Sequence, residues 1–277
     1  MSNSRILAGD CVIRMNTLEK ESIDHIITDP PYEIGFMGKG WDNSGVAYNP
    51  KTWEAAHRVL KPDGIMVVFG ATRTHHRIAD AIIRADFEII NIIAWTYGTG
   101  FPKSHNIGKA IEKINGSPST VWSGWGTALK PAWEPIIIAR KKGSSSMITN
   151  YSQFNYIPKA GKKERNRGLE EFPQVEAKTT VGLNSPEMRE NRGREAKETM
   201  RANDHPTVKP VNLMKKLVLD FTNDDETILD PFMGSGSTGI ACALTNRKFV
   251  GIELTPEYIP LATARIKDAV EKPEGWI

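Results

Sequence analysis

Cysteine is nearly missing from this chain. Cys11 and Cys242 are the only two in 277 residues, and neither stands in the paired or metal-ligand spacing that staples small domains or holds zinc. No disulfide scaffold and no metal centre is expected, and a reducing cytoplasm is the natural setting. Long apolar runs are missing too. No stretch approaches the roughly 18 residues of a membrane span, and Met1-Ser2-Asn3-Ser4-Arg5 leads into a strand-like run without the apolar core of a signal peptide. A soluble intracellular protein is expected. An excess of one charge is also lacking: at +3 the formal sum identifies no nucleic-acid partner, so its distribution has to speak. The length and apolar content suit one large α/β domain with an insertion, or two modest domains.

What is present is, first, His25-Ile26-Ile27-Thr28-Asp29-Pro30-Pro31-Tyr32, a short apolar run cut off by an acid, two prolines and an aromatic. Proline has no amide proton and drives the residue before it out of helical space. Strand pairing therefore stops here, and Asp29 and Tyr32 fall on a stiff loop at the carboxyl end of a buried strand. Open α/β sheets place ligands at such ends. A carboxylate, a fixed Pro30 carbonyl and an aromatic face on one turn suit a flat heterocycle bearing an amine: the amine donates and the ring stacks. Asp10 ends an earlier strand, where it either caps the following turn or joins the same site. Phe36, Lys39 and Trp41 lie in a glycine-rich stretch that suits a loop over a site, with Lys39 meeting phosphate.

Further along, Trp53, Ala56, Val59 and Leu60 repeat at helical spacing before the strand Ile65-Met66-Val67-Val68-Phe69, and a second helix, Thr72 to Ala85, precedes a strand from Phe87 to Trp95. This alternation predicts a doubly wound, mostly parallel sheet. Tyr97 to Asn106 crowds aromatics, glycines and polar side chains after a strand, as an active-site wall does. Ala132 to Arg140 reads as a strand paired with Phe87 to Trp95, and Trp133 at its start serves either the core or a site wall, as do Phe36 and Trp41.

Residues 141–203 differ in kind, being polar, charged and without a sustained period, so little core is expected of them. Between Arg140 and Arg201 fourteen basic residues stand against eight acids, with Tyr151, Phe154, Tyr156 and Phe172 interleaved. A nucleic-acid arm that orders on binding fits this pattern, Lys162, Lys163, Arg165 and Arg167 being its densest basic cluster. A solvated linker is the alternative.

The ordered pattern resumes at His205-Pro206-Thr207-Val208-Lys209-Pro210. Thr227 to Asp230 is then a strand, Pro231-Phe232-Met233-Gly234-Ser235-Gly236-Ser237-Thr238-Gly239 a glycine-rich turn, and Lys248 to Glu253 the next strand. Glycines between strand and helix let a ligand touch backbone, and Glu253 falls where such folds bind ribose. A triphosphate loop needs a lysine after its last glycine, and Ile240 stands there. A dinucleotide would set its pyrophosphate against Asp230, whose carboxylate suits the ammonium of a methionyl group instead. S-adenosylmethionine is the cofactor that remains.

In this order, Asp-Pro-Pro-Tyr first and the glycine turn last with the basic stretch between them, the chain resembles the beta group of amino-methylating DNA methyltransferases, which act on adenine N6 or cytosine N4. The likeness implies a seven-stranded sheet whose strand near Pro135 to Arg140 runs antiparallel. It also implies a catalytic part over 1–142, a target-recognition insertion over 143–203 and a cofactor part of the same domain over 204–277. By it, Asp29, Pro30, Pro31 and Tyr32 are catalytic. Asp230, Gly234 and Gly236 hold the methionyl part, and Phe232 and Ser235 in the same turn also bind the cofactor; Glu253 takes the ribose, Asp10 the cofactor's adenine, and Lys209 lies near its carboxylate. Double-stranded DNA is the expected partner, a homodimer is allowed, and the cell is bacterial or phage-infected. A catalytically idle DNA-binding protein, or an RNA or protein methylase, remains as the alternative. An aspartate opening the turn leans toward adenine N6 over cytosine N4.

Overall fold

The computed structural model describes residues 4–34, 44–98, 105–118, 120–127, 131–144, 151–176 and 200–276. Its strands are β1 Ser4–Ala8, β2 His25–Thr28, β3 Ile65–Phe69, β4 Phe87–Thr96, β5 His105–Asn106, β6 Gly126–Thr127, β7 Trp133–Lys141, β8 Phe154–Tyr156, β9 Val175–Glu176, β10 Met200–Arg201, β11 Thr227–Asp230 and β12 Lys248–Glu253. Eight of them form one sheet in the order β1-β12-β11-β2-β3-β7-β4-β8. All neighbours run parallel except β7, which is antiparallel to both β3 and β4.

Period-two geometry explains the two-sided core. Consecutive side chains on a strand face opposite ways, so Ile27, Val67, Ile136 and Ile138 pack on one side with the helices Val211–Phe221, Ser237–Leu244 and Tyr258–Glu271. Ile26, Met66, Val68 and Ile137 pack on the other with helices Cys11–Asn16, Pro50–Val59 and His75–Arg84. The central strands β2 and β3 are buried at every position, which is why they read as unbroken apolar runs. Helix Pro50–Val59 starts where Asn49 accepts the Lys51 amide at 3.1 Å with proline next in line, a cap that satisfies a donor the helix cannot.

The eighth strand departs from the seven expected. β8 adds to β4 in parallel, pairing Ala94 with Phe154 and Thr96 with Tyr156. It is three residues long and inverts the usual pattern: Asn155 is 3% exposed while Phe154 and Tyr156 are 72% and 70% exposed, so no apolar period marks it. The basic insertion also packs more than its composition suggests. Leu169 joins Ala202, Tyr258 and Leu261 in a small core of its own, and β9 pairs antiparallel with β10. Segments 145–150 and 177–199 lie outside the described residues.

Strand order changes direction between β11 and β2. On one side of that point the sheet continues from β11 to β12 and β1, and on the other from β2 to β3, β7 and β4. Adjacent parallel strands there end side by side, and the crevice beyond such a switch point is where this architecture accepts ligands.

Candidate active site

At that switch point a cavity of about 510 Å³ runs from Asp29, Pro30, Pro31 and Tyr32 beyond β2 to Asp230, Phe232, Gly234 and Ser235 beyond β11, with Asp10 and Glu253 also on its wall. This volume suits a drug-sized or nucleoside ligand. Asp29, held by the proline pair, places Oδ2 2.5 Å from Lys209 Nζ. Its other oxygen, Oδ1, is buried without a hydrogen-bond partner. An acceptor left in that state costs about 1–3 kcal/mol until something donates to it.

Glu134 closes the network. Its carboxylate accepts the Tyr32 hydroxyl at 2.7 Å and the Tyr97 hydroxyl at 3.3 Å, and lies 3.5 Å from Lys209 Nζ. Two carboxylates thus share one ammonium. Burial pushes the Asp29 carboxyl above the usual carboxylate range, opposed by Lys209 and reinforced by Glu134. For Lys209 burial works against the charge, but Asp29 and Glu134 outweigh it and raise its pKa. The Lys209 ammonium also sits 5.2 Å from the Tyr32 ring centroid and 5.0 Å from that of Phe69, within cation–π reach.

At the other end Asp230 is fully engaged. Its oxygens accept Thr28 Oγ1 at 2.7 Å, Thr238 Oγ1 at 2.5 Å and the Phe232 amide at 3.1 Å, tying β2, β11 and the helix after the turn together. Burial raises its carboxyl to about 6, with those donors pulling the other way. Glu253 accepts the amides of Gly234 and Thr255, each at 2.8 Å, so it braces the glycine turn from the next strand. Asp10 caps helix Cys11–Asn16 through the Ile13 amide at 2.9 Å. Gly234 adopts φ +53°, and a Cβ there would stand 2.8 Å from His205 Nε2; only glycine lets the turn fit beneath that ring.

The remaining expected residues divide. Trp133 is 40% exposed on the cavity rim. Phe36, Lys39 and Trp41 lie outside the described residues. Lys162 and Lys163 face solvent, whereas Arg165 and Arg167, expected on phosphates, turn inward. Arg165 Nη2 donates to the His205 carbonyl. Arg167 donates to Asp268 at 3.2 Å and to the Gly275 carbonyl, with its guanidinium 5.4 Å from the Trp276 ring. Arg167 thus spends its donors on the fold, whereas Arg165 gives one to the His205 carbonyl and lines the cavity. Lys209, expected beside the cofactor's carboxylate, is held by Asp29 and Glu134. Glu134 escaped the sequence reading, although an acid between Trp133 and Pro135 at the head of an apolar strand was its signal.

The cavity wall tests the cofactor. Five carboxylates, those of Asp10, Asp29, Glu134, Asp230 and Glu253, line it, which disfavours a pyrophosphate and suits a ligand carrying a sulfonium, an ammonium and a ribose diol. Fold and site together define a methyltransferase of the S-adenosylmethionine-dependent class. The N6/N4 DNA methylase family model matches residues 23–264, and the chain belongs to that family, whose methyl donor is S-adenosylmethionine. It is 30% identical to a type II methyltransferase, M2.MboI of Moraxella bovis, over 95% of this chain and 87% of that one. It is 28% identical to the DNA adenine methyltransferase YhdJ of Escherichia coli (strain K12), over 94% and 82%. Among solved structures the PvuII cytosine-N4-specific DNA methyltransferase superposes with a TM-score of 0.62 at 18% identity, covering 100% of this chain and 94% of that one. Among the described residues no helix is long and apolar enough to cross a membrane.

Proposed function

We propose that the protein methylates adenine N6 at a specific site in double-stranded DNA, with the target base flipped into the cavity. The observation that carries this reading is the buried, partnerless Oδ1 of Asp29 on a proline-stiffened turn beside Tyr32. Bound S-adenosylmethionine supplies an electrophilic methyl group. Glu253, Asp10, Phe232 and the turn from Gly234 to Gly236 would hold it.

The chain's own residues do the rest. Asp29 Oδ1 accepts one amine hydrogen and the Pro30 carbonyl the other, which frees the nitrogen lone pair from the ring. Positive charge then grows on that nitrogen, and Asp29 stabilises it from a largely buried position. Tyr32, its hydroxyl anchored on Glu134, offers its face to the base. Lys209 keeps the Asp29 carboxylate oriented while the site waits for a base. The amine is out of reach in a stacked duplex, so flipping is required, at a cost of a few kcal/mol.

Adenine is preferred over cytosine because a named relative is an adenine enzyme and because aspartate opens the turn. DNA methylated by the purified protein is digested and its nucleosides separated by mass. N6-methyladenine is expected; N4-methylcytosine alone would overturn the base assignment and leave the amine-directed mechanism standing.

A further inference from the structure

Two guanidinium groups from the insertion reach the cavity wall at the glycine turn, and the methylation chemistry above uses neither. Arg165 lies on helix Lys162–Asn166 and Arg201 on β10, and both line the cavity beside His205 and Tyr258. They are close enough to oppose each other: burial first, then the charge of Arg201, lowers the pKa of Arg165. Like charges are not brought together in a wall of reduced dielectric without a compensating partner nearby. Neither arginine makes an ion pair among the described residues, where the arginine ion pairs belong to Arg84, Arg140, Arg167 and Arg247. Glu164, the nearest acid to bear on Arg165, spends Oε1 on the Val211 amide at 2.6 Å. Arg201 Nε is buried with no hydrogen-bond partner.

We infer that Arg165 and Arg201 bind the α-carboxylate of the cofactor's amino-acid end, so that the target-recognition insertion itself completes the cofactor site. The inference rests on the glycine turn being the cofactor seat. Position favours it: Arg165 donates to the His205 carbonyl, the His205 ring lies over Gly234, and Arg201 stands by Tyr258, whose ring meets that of His205 at 4.7 Å. The anion taken here therefore sits against the turn and not at the Asp29 end. S-adenosylmethionine carries one carboxylate, and a planar fork is the donor shape that matches it. A DNA phosphate is the other anion that could reach a guanidinium, and it is an outcome of the test.

Calorimetric titration of the full chain with S-adenosylmethionine and with its decarboxylated analogue measures the contact without turnover. The wild type should prefer the carboxylate-bearing compound by about tenfold or more, roughly 1.4 kcal/mol. Arg201→Gln should lose most of that preference by weakening S-adenosylmethionine alone, and Arg201→Lys should restore part of it. Because Arg165 also holds the His205 carbonyl, Arg201 is the cleaner variant, and an unchanged melting temperature shows that its fold is kept. If wild type binds S-adenosylmethionine and Arg201→Gln keeps the full preference, the inference is overturned while the cofactor seat stands. If that variant loses DNA affinity instead, the anion is a phosphate and the inference is equally overturned. A wild type that binds neither compound sinks the cofactor reading and this inference with it.

Discussion

Asp29 and Glu253 sit at opposite ends of one cavity and should fail differently when removed. Asp29→Ala takes away the proposed acceptor for the amine but leaves the glycine turn intact. Methyl transfer should fall by about 10²- to 10³-fold, as when a transition-state partner is deleted, with S-adenosylmethionine affinity nearly unchanged. Glu253→Ala removes the brace on the Gly234 and Thr255 amides, so cofactor affinity should drop instead; calorimetry beside single-turnover rates separates the two. Wild-type turnover in Asp29→Ala would remove the mechanism. Asp230 carries a different signature. Its carboxyl is raised from 3.8 to about 6 by burial, so between those values the folded chain holds a proton that the unfolded chain has released. Its contribution is complete below the unfolded value and is lost as pH rises through the folded one, a span of roughly 3 kcal/mol. Urea unfolding between about pH 4 and pH 7 should show wild type losing stability relative to Asp230→Asn. A pH-independent difference between the two would mean that the hydroxyls of Thr28 and Thr238 hold the carboxylate ionised.

Among the elements, the turn after β11 separates binding from packing within one glycine run. Gly234 faces the cavity under His205, whereas a Cβ on Gly239 would meet Ile266 Cδ1 at 2.5 Å and Phe249 Cε1 at 2.7 Å, two core side chains that are not on the cavity wall. Gly239→Ala should therefore cost about 1–3 kcal/mol by overpacking and lower the melting temperature by several degrees, roughly 2–4 °C per kcal/mol, with cofactor affinity kept. Gly234→Ala should weaken the cofactor as well. Identical losses of cofactor affinity in both would contradict this division. These punctuated elements were legible because local residues force them: prolines 30 and 31 stop β2, and glycines open the turn between β11 and its helix. The antiparallel run of β7 was readable only through the family resemblance. β8 was hidden because three residues show no period and the buried one is Asn155. Glu134 was hidden because its partners, Tyr32 and Lys209, stand far away in the chain. Nothing local tells an arginine that will be solvated from one that will be buried, and so Arg165 and Arg167 were placed with Lys162 and Lys163.

For the whole molecule the consequence is a redistribution of its positive charge. The surplus of fourteen basic residues over eight acids between Arg140 and Arg201 remains, but the structure commits Arg167 to Asp268 and the Gly275 carbonyl and turns Arg165 into the cavity wall. If the described part of this stretch binds phosphates, we expect that role to fall to exposed groups such as Lys162 and Lys163. Each phosphate that a protein neutralises steepens the fall of log affinity with log salt by about 0.9. Lys162→Gln with Lys163→Gln should accordingly flatten that slope by about 1 to 2 and leave the melting temperature alone, because neither side chain is buried. Arg167→Gln should do the reverse. Losing an ion pair and a cation–π contact to Trp276 at the end of the chain lowers stability, while the salt slope stays put. Filter binding of a labelled duplex across a salt series, run beside thermal melts, measures both quantities on the same three proteins. A flattened slope in Arg167→Gln, or an unmoved one in the double lysine variant, would put the phosphate contacts on another face of the molecule.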